Sequence, residues 1–196
     1  MTSSVGSIIL TIVVGALLAN NFVLIKFLGI CPFLGVSKNK KSAFGMGLAV
    51  MAVTVIASLV TFGLYKLVLV PLSIAYMQTV VYILVIASLV QFAEMLIKRF
   101  FPSLYEMFGV YLPLITTNCI VLGVCLSVIN YDFNLLQTLV YSISVTLGYM
   151  LVLVIFSAIR DQLDRVPVAK PFKGVPIALV VAACMAMAFS AFSGII

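Results

Sequence analysis

Cys31 and Cys119 head two copies of one hexapeptide pattern, Cys-x-x-Leu-Gly-Val, set 88 residues apart. The first copy is Cys31-Pro32-Phe33-Leu34-Gly35-Val36 and the second is Cys119-Ile120-Val121-Leu122-Gly123-Val124. Both lie inside long apolar stretches. Thiolates bind zinc and iron, so two cysteines at equivalent depth in two halves of a membrane protein point to a metal centre within the bilayer. The competing reading of a cysteine in an apolar helix is a small, inert packing residue. That reading suits Cys125 and Cys184. Cys125 follows Cys119 by six positions, which puts the two on different faces of an unbroken helix. Cys184 has no counterpart in the other half, where Ser88 or Leu89 stands.

Ligand counting narrows the chemistry. A 2Fe–2S cluster ordinarily takes four thiolates, so Cys31 and Cys119 are half a site. The other half comes either from Cys125 and Cys184 or from another chain. A homologous partner offering the same pair across a pseudo-two-fold axis is the simpler solution. Zinc also accepts four thiolates, but a redox cluster at mid-membrane depth has an evident use, which is to carry electrons across. The chain has no histidine, so imidazole ligands and histidine bases are excluded. No Gly-rich nucleotide-binding loop follows a strand pattern.

The elements that position these cysteines are membrane helices. Of 196 residues, 65% are hydrophobic and 8% charged, with a mean hydropathy of +1.35; soluble domains run about 45–50% and about 25%. Six spans of about 20 residues or more fit: Ile8–Val36, Ala43–Leu69, Val70–Ile97, Leu104–Ile129, Leu135–Ile159 and Val175–Ile196. The runs lack the period-two alternation of a membrane barrel, so the expected fold is all-α. The N-terminal stretch has no basic n-region and its apolar run continues past Asn20, so it reads as a retained first span rather than a secretory signal.

Charge sets the expected orientation. Lys38, Lys40, Lys41, Lys98, Arg99, Arg160, Arg165, Lys170 and Lys173 fall in three loops on one side; the other side carries Lys66 and Asp132. The basic side is cytoplasmic by the positive-inside rule, which places both termini outside. The net charge of +6 therefore reports insertion, not nucleic-acid binding. Six spans split into two three-span repeats, 1–100 and 101–196, that insert with opposite orientation. Leu84-Val85-Ile86-Ala87-Ser88 and Leu179-Val180-Val181-Ala182-Ala183 form a weaker echo of the same repeat. Inverted repeats put functional sites near the midplane.

Two spans carry breakers. The first holds Asn20, Asn21, Lys26, Gly29, Pro32 and Gly35; the fourth holds Pro113, Thr116, Thr117, Asn118 and Gly123. Proline removes a backbone donor and disfavours helix at the residue before it. The first and fourth helices are therefore expected to break near the midplane, freeing N–H groups beside each cysteine. Several polar residues stay open to two readings. Lys26 either offsets cluster charge or gates an ion, or else it snorkels or pairs with a neighbouring carbonyl. Asn20/Asn21 and Thr116/Thr117 either line an ion path or cap the broken helices. Gln91 and Glu94 are expected as interfacial anchors. Arg160, Asp161, Asp164 and Arg165 are expected as a solvated cytoplasmic helix end able to dock a soluble partner.

At these residues the chain resembles the Rnf/Nqr family of membrane proteins. The resemblance is carried by Asn20-Asn21-Phe22-Val23-Leu24, by Phe27-Leu28-Gly29-Ile30-Cys31-Pro32-Phe33, and by Leu112-Pro113-Leu114-Ile115-Thr116-Thr117-Asn118-Cys119. It continues through Ala158-Ile159-Arg160 to Phe189-Ser190-Ala191-Phe192-Ser193-Gly194. The Asn-Asn-Phe-Val-Leu stretch resembles the Rnf branch, the ion-translocating ferredoxin:NAD oxidoreductases. The sodium-translocating NADH:quinone reductases typically carry a Glu-Asn-Met-Ala-like version there. The resemblance implies a heterodimer with a homologous, oppositely inserted partner, the E-type component of Rnf complexes. It implies one 2Fe–2S cluster held by two cysteines from each chain, Cys31 and Cys119 here. It further implies electron transfer between flavin and iron–sulfur subunits, coupled to Na+ or H+ movement across a bacterial or archaeal cytoplasmic membrane. No substrate chemistry is implied for this chain by itself. The alternatives are the equivalent component of the quinone reductase, or a transport-complex component without a redox centre.

Overall fold

The computed structural model describes residues 2–19, 21–36, 40–69, 77–100, 118–163, 165 and 174–193. These form helices and turns, with no strand among the described residues. The helices are α1 (Thr2–Val14), α2 (Ile30–Val36), α3 (Lys40–Leu64), α4 (Gln78–Phe100), α5 (Cys119–Asn130), α6 (Leu135–Leu163) and α7 (Val175–Ser193). Wide π-turns continue α1 through Gly15–Ala19 and α3 through Tyr65–Leu69. The first expected span is thus broken: α1 ends in its π-turn, Asn21–Gly29 runs as turns, and α2 resumes at Ile30. The expected break in the fourth span falls on 101–117, outside the described residues, and α5 begins at Cys119.

Two helices are long and apolar enough to cross a bilayer alone, over Ser42–Leu67 and Leu135–Leu163. Thr79–Phe92, Cys119–Asn130 and Val175–Ala191 are apolar but shorter. The polarity of the fold suits a hydrocarbon solvent. Leu48, Ile56, Leu84, Phe92, Leu147, Leu151 and Met187 face outward, while Thr54, Ser58, Thr61, Thr138, Ser142 and Thr146 are buried. Water is absent from a bilayer core, so apolar burial between helices gains little there; small residues that allow close approach hold helices together instead. The buried hydroxyls of four of these residues are satisfied within their own helices. Thr54, Thr61, Ser142 and Thr146 each donate to the carbonyl four residues back, at 2.7, 2.7, 2.7 and 2.8 Å. Ser58 and Ser142 also meet across the α3–α6 seam, Oγ to Oγ, at 2.9 Å.

The packing wraps the broken segment. Phe22, Val23 and Leu24 of the break share a core with Met46 and Val50 of α3, Ile120 and Val124 of α5, and Tyr149, Val152 and Phe156 of α6. A second cluster joins Ala57 of α3, Tyr82 and Ile86 of α4, and Val121, Cys125 and Ile129 of α5. The break is therefore covered by protein on its inner side, the condition for irregular backbone at membrane depth.

Candidate metal centre

Asn21 opens the break and organises it. Its Oδ1 accepts from the Val23 N–H at 3.1 Å, an Asx turn. Its Nδ2 donates to Leu17 O in the π-turn and to Gly148 O of α6, both long at 3.4 Å. The Ile25 N–H then donates to Asn21 O at 3.0 Å and the Leu28 N–H to Phe22 O at 2.9 Å, closing the loop on itself. Phe27 has φ 54, a left-handed conformation costly for a bulky residue, and Gly29 has φ 85. Of the two readings left open for Asn21, capping is the one its hydrogen bonds fit. Asn20, Thr116 and Thr117 lie outside the described residues.

The loop delivers Gly29 to Cys119. The Gly29 N–H donates to Cys119 Sγ at 2.9 Å, across 90 residues of sequence. Gly29 needs its missing side chain as well as its φ: a Cβ there would stand 2.5 Å from Ile120 Cδ1 and 2.8 Å from Ile120 Cγ1. Ile120 is fully buried and cannot swing clear. Gly123, one turn after Cys119, plays the matching part on α5, since a Cβ there would stand 2.6 Å from Leu28 Cδ2 and 3.0 Å from Phe22 Cε1. So α5 and the loop lie in close contact along the turn that follows Cys119.

Cys119 is half-buried and opens α5. Asn118 caps that helix: its Oδ1 accepts from the Ile120 N–H at 3.2 Å, at φ −71 and ψ 114. Cys31 stands in the first turn of α2 and is exposed. Two residues span at most about 7 Å, so the chain that gives its N–H to Cys119 carries Cys31 close behind. The seat of Cys31 is rigid. Phe33 is 1% exposed and stacks on Phe156 of α6 with ring centroids 4.1 Å apart. All four cysteines are free thiols. Among the described residues no three metal-ligating side chains gather, so that part of the chain does not complete a four-thiolate set.

Asn118 Nδ2, in a side chain 4% exposed, has no hydrogen-bond partner among the described residues, and neither has the hydroxyl of Tyr149, 1% exposed, on α6. Lys26 is exposed, and its Nζ sits 4.3 Å from the centre of the Phe22 ring, folded back on the loop.

Elsewhere the structure sorts the sequence expectations. Cys125 is fully buried in the second cluster, as a packing residue should be. Cys184 is exposed on α7, where a buried packing residue was expected. Arg160 corrects the expectation of a solvated helix end. It is 8% exposed and its Nη1 donates to Leu34 O at 2.8 Å, since a buried guanidinium needs such an acceptor. Asp161 and Arg165 do form an exposed ion pair at 3.7 Å. Asp164 lies outside the described residues. Sequence reasoning missed Tyr149, which stands in a run of small and apolar residues with no motif around it.

The geometry sets one backbone donor against Cys119 Sγ, on the chain two residues before Cys31. The family described as "Rnf-Nqr subunit, membrane protein" matches residues 9–196. The chain is 49% identical over 187 residues to the A component of the ion-translocating oxidoreductase complex of Edwardsiella ictaluri, covering 95% of this chain and 97% of that protein. It is 51% identical over 183 residues to the A component of the Na(+)-translocating ferredoxin:NAD(+) oxidoreductase complex of Acetobacterium woodii, covering 93% and 95%. The ion-translocating oxidoreductase A component of Serratia proteamaculans is 49% identical over 187 residues, covering 95% and 97%. With a family match over nearly its whole length and relatives near half identity, the chain belongs to the Rnf-Nqr family of membrane subunits.

Proposed function

We propose that this chain is the A-type membrane component of an ion-translocating ferredoxin:NAD oxidoreductase. In this reading it is part of an enzyme and not catalytic alone. Cys31 and Cys119 give two thiolates to a 2Fe–2S cluster, and a homologous, oppositely inserted partner gives the other two. The observation that carries the reading is the 2.9 Å contact from the Gly29 N–H to Cys119 Sγ, made by the break that also carries Cys31. The residues fit such a group in two further respects. The thiols are free, and the buried Asn118 Nδ2, next to Cys119 in the chain, has no hydrogen-bond partner among the described residues. When bound, the cluster supplies a one-electron relay across the middle of the membrane.

The chain's own residues do the rest. Gly29 stabilises negative charge on Cys119 sulfur, since a donor to an anion forms one of the stronger hydrogen bonds. Phe33 and Arg160 fix α2, and so the position of Cys31. The exposure of Cys31 leaves its sulfur available to a ligand shared with a partner. The apolar exterior of α3, α4 and α6 faces lipid. The reading includes a multi-pass bacterial or archaeal cytoplasmic membrane protein with six spans, two inverted three-helix repeats and both termini outside. Flavin and iron–sulfur subunits exchange electrons on either side, and the coupled ion is Na+ or H+.

The test is to purify the complex with Cys31→Ala or Cys119→Ala and measure iron, acid-labile sulfide and the EPR signal of the reduced cluster. Each variant is expected to lose that signal while other centres remain. Two variants with wild-type signals would sink the assignment.

A further inference from the structure

Four aromatic side chains run in contact from the broken loop to the far end of α5. Phe22 of the loop meets Tyr141 of α6 edge-on, with ring centroids 6.5 Å apart. Tyr141 meets Phe133 at 5.2 Å and Tyr131 at 6.4 Å, and Tyr131 stacks on Phe133 at 5.4 Å. These separations fall in the range of interacting ring pairs, about 4.5–7 Å. The run starts in the core and ends outside it: Phe22 is 3% exposed, Tyr141 7% and Tyr131 58%. The turn between α5 and α6 holds the outer rings in place. The N–H groups of Tyr131, Asp132 and Phe133 donate to Ser127 O, Ile129 O and Val128 O at 3.0, 3.0 and 3.2 Å, and Asp132 takes φ 48 to make the bend. At its inner end the run is joined to Cys119 by hydrogen bonds. Cys119 Sγ accepts from the Gly29 N–H at 2.9 Å, and Gly29 follows Leu28, whose N–H donates to Phe22 O at 2.9 Å. The Phe22 ring also lies over Gly123, 3.0 Å from where a Cβ would stand, four residues after Cys119. A tyrosine at the end of a membrane helix is by itself an ordinary interfacial aromatic. Interfacial anchoring does not account for its continuation, ring by ring, to the loop that touches Cys119.

We infer that Phe22, Tyr141, Phe133 and Tyr131 form the electron route between the sulfur site at Cys119 and the outer face, and that the outer redox subunit seats its cofactor against Tyr131. This rests on the proposed cluster and topology, which put the α5–α6 turn on the side opposite the basic loops. It adds the residues that connect the cluster to its neighbour. The twelve residues of α5 rise about 18 Å from Cys119 toward Tyr131, so an electron has far to tunnel. Tunnelling falls off steeply with distance, and less steeply through bonded and closely packed atoms than across gaps. The rings and the two hydrogen bonds supply such a packed path. One electron passes from the reduced centre to the flavin or iron–sulfur centre of the outer subunit. No bond forms or breaks, no ring is oxidised, and both phenols keep their protons.

The experiment uses the purified complex with Tyr141→Leu, Tyr141→Phe, Tyr131→Leu or Tyr131→Phe. Iron content and the midpoint of the reduced-cluster EPR signal are measured in each, and then the rate at which that signal decays into the outer subunit, by rapid freeze-quench. Both leucine variants are expected to keep the iron and the midpoint and to slow the decay severalfold. Both phenylalanine variants keep the ring and are expected to match wild type. Tyr131→benzoylphenylalanine is expected to photocrosslink to a redox subunit of the complex. Wild-type decay in Tyr131→Leu overturns the inference whether or not Tyr141→Leu assembles, because Tyr131 is exposed and its replacement leaves the core intact. Equal slowing in the leucine and phenylalanine variants overturns it as well, since the hydroxyl and not the ring would then matter. So does a slowed decay that comes with a shifted midpoint, or a crosslink that reaches no redox subunit. In each of these cases the cluster itself stands. A wild-type complex without the cluster overturns the parent reading and this one together.

Discussion

The backbone nitrogen of Gly29 and the sulfur of Cys119 lie 2.9 Å apart, although 90 residues separate them in sequence. This contact ties the broken first segment to the start of α5. It depends on three coincident features: φ 85 at Gly29, the absence of a Cβ there, and an Ile120 side chain with no room to move.

Gly29→Ala is therefore expected to be severe. The substitution puts an L-residue at positive φ, which costs about 1–2 kcal/mol, and overpacks Ile120, which adds about 1–3 kcal/mol. The variant complex should show a lower unfolding temperature in detergent and a reduced iron content. A double variant with Ile120→Ala should recover part of the packing loss but not the φ penalty. Full stability in Gly29→Ala would mean the loop and α5 are not in this close contact.

Asn21→Ala removes three hydrogen bonds at once, to Val23, Leu17 and Gly148. Two are long, so the expected loss is about 1–3 kcal/mol. Asn21→Asp keeps the acceptor for Val23 but loses the donor for Leu17 and Gly148. It should be worse than alanine if an unpaired charge at that depth dominates. Thermal unfolding of the two variants side by side reads the order. If ion translocation falls while stability holds, Asn21 is an ion-path residue and the capping account fails.

Arg160 and Phe156 anchor α2 from α6. Arg160→Gln is expected to remove the hydrogen bond to Leu34 O and loosen the half-helix, and Phe156→Leu removes the stack on Phe33. Aromatic stacking adds about 0.5–1.5 kcal/mol beyond area. Because Cys31 rides on the same half-helix, both variants should raise the rate of Cys31 alkylation in the iron-free complex while leaving Cys125 protected. Alkylation at wild-type rates in both would remove α6 as the clamp on α2.

Much of this site was legible in the sequence, for physical reasons that differ by residue. Cys31 and Cys119 stood out because the hexapeptide repeats. The first break was readable because Asn21 and Gly29 are poor helix formers within an otherwise apolar run, whereas Pro32, expected to keep Cys31 out of a helix, falls in the first turn of α2, where its missing N–H costs nothing. Contacts across the chain were not readable. The pairing of Gly29 with Cys119 needs the two halves folded against each other, and no spacing rule reports it. Arg160 looked solvated because arginine at a helix end usually is. Its hydrogen bond to Leu34 O, 126 residues away, is what makes its burial sensible. Tyr149 was invisible because a tyrosine among apolar residues reads as core until its hydroxyl is found without a partner.

Lys26 gives the last prediction, and it separates the two readings the sequence left open. A snorkelling lysine extends toward the headgroups, whereas this one folds back so that its Nζ lies 4.3 Å from the Phe22 ring centre. Phe22 in turn packs on Gly123, one turn beyond Cys119. A cation held there favours negative charge at the cysteines, an effect weakened by the exposure of Lys26. Lys26→Gln is expected to move the cluster midpoint to more negative potential, and Lys26→Arg to restore it, because arginine keeps both the charge and the ring contact. Iron content should stay at the wild-type level in both. A midpoint that ignores the charge at position 26 would return Lys26 to a role in loop packing alone.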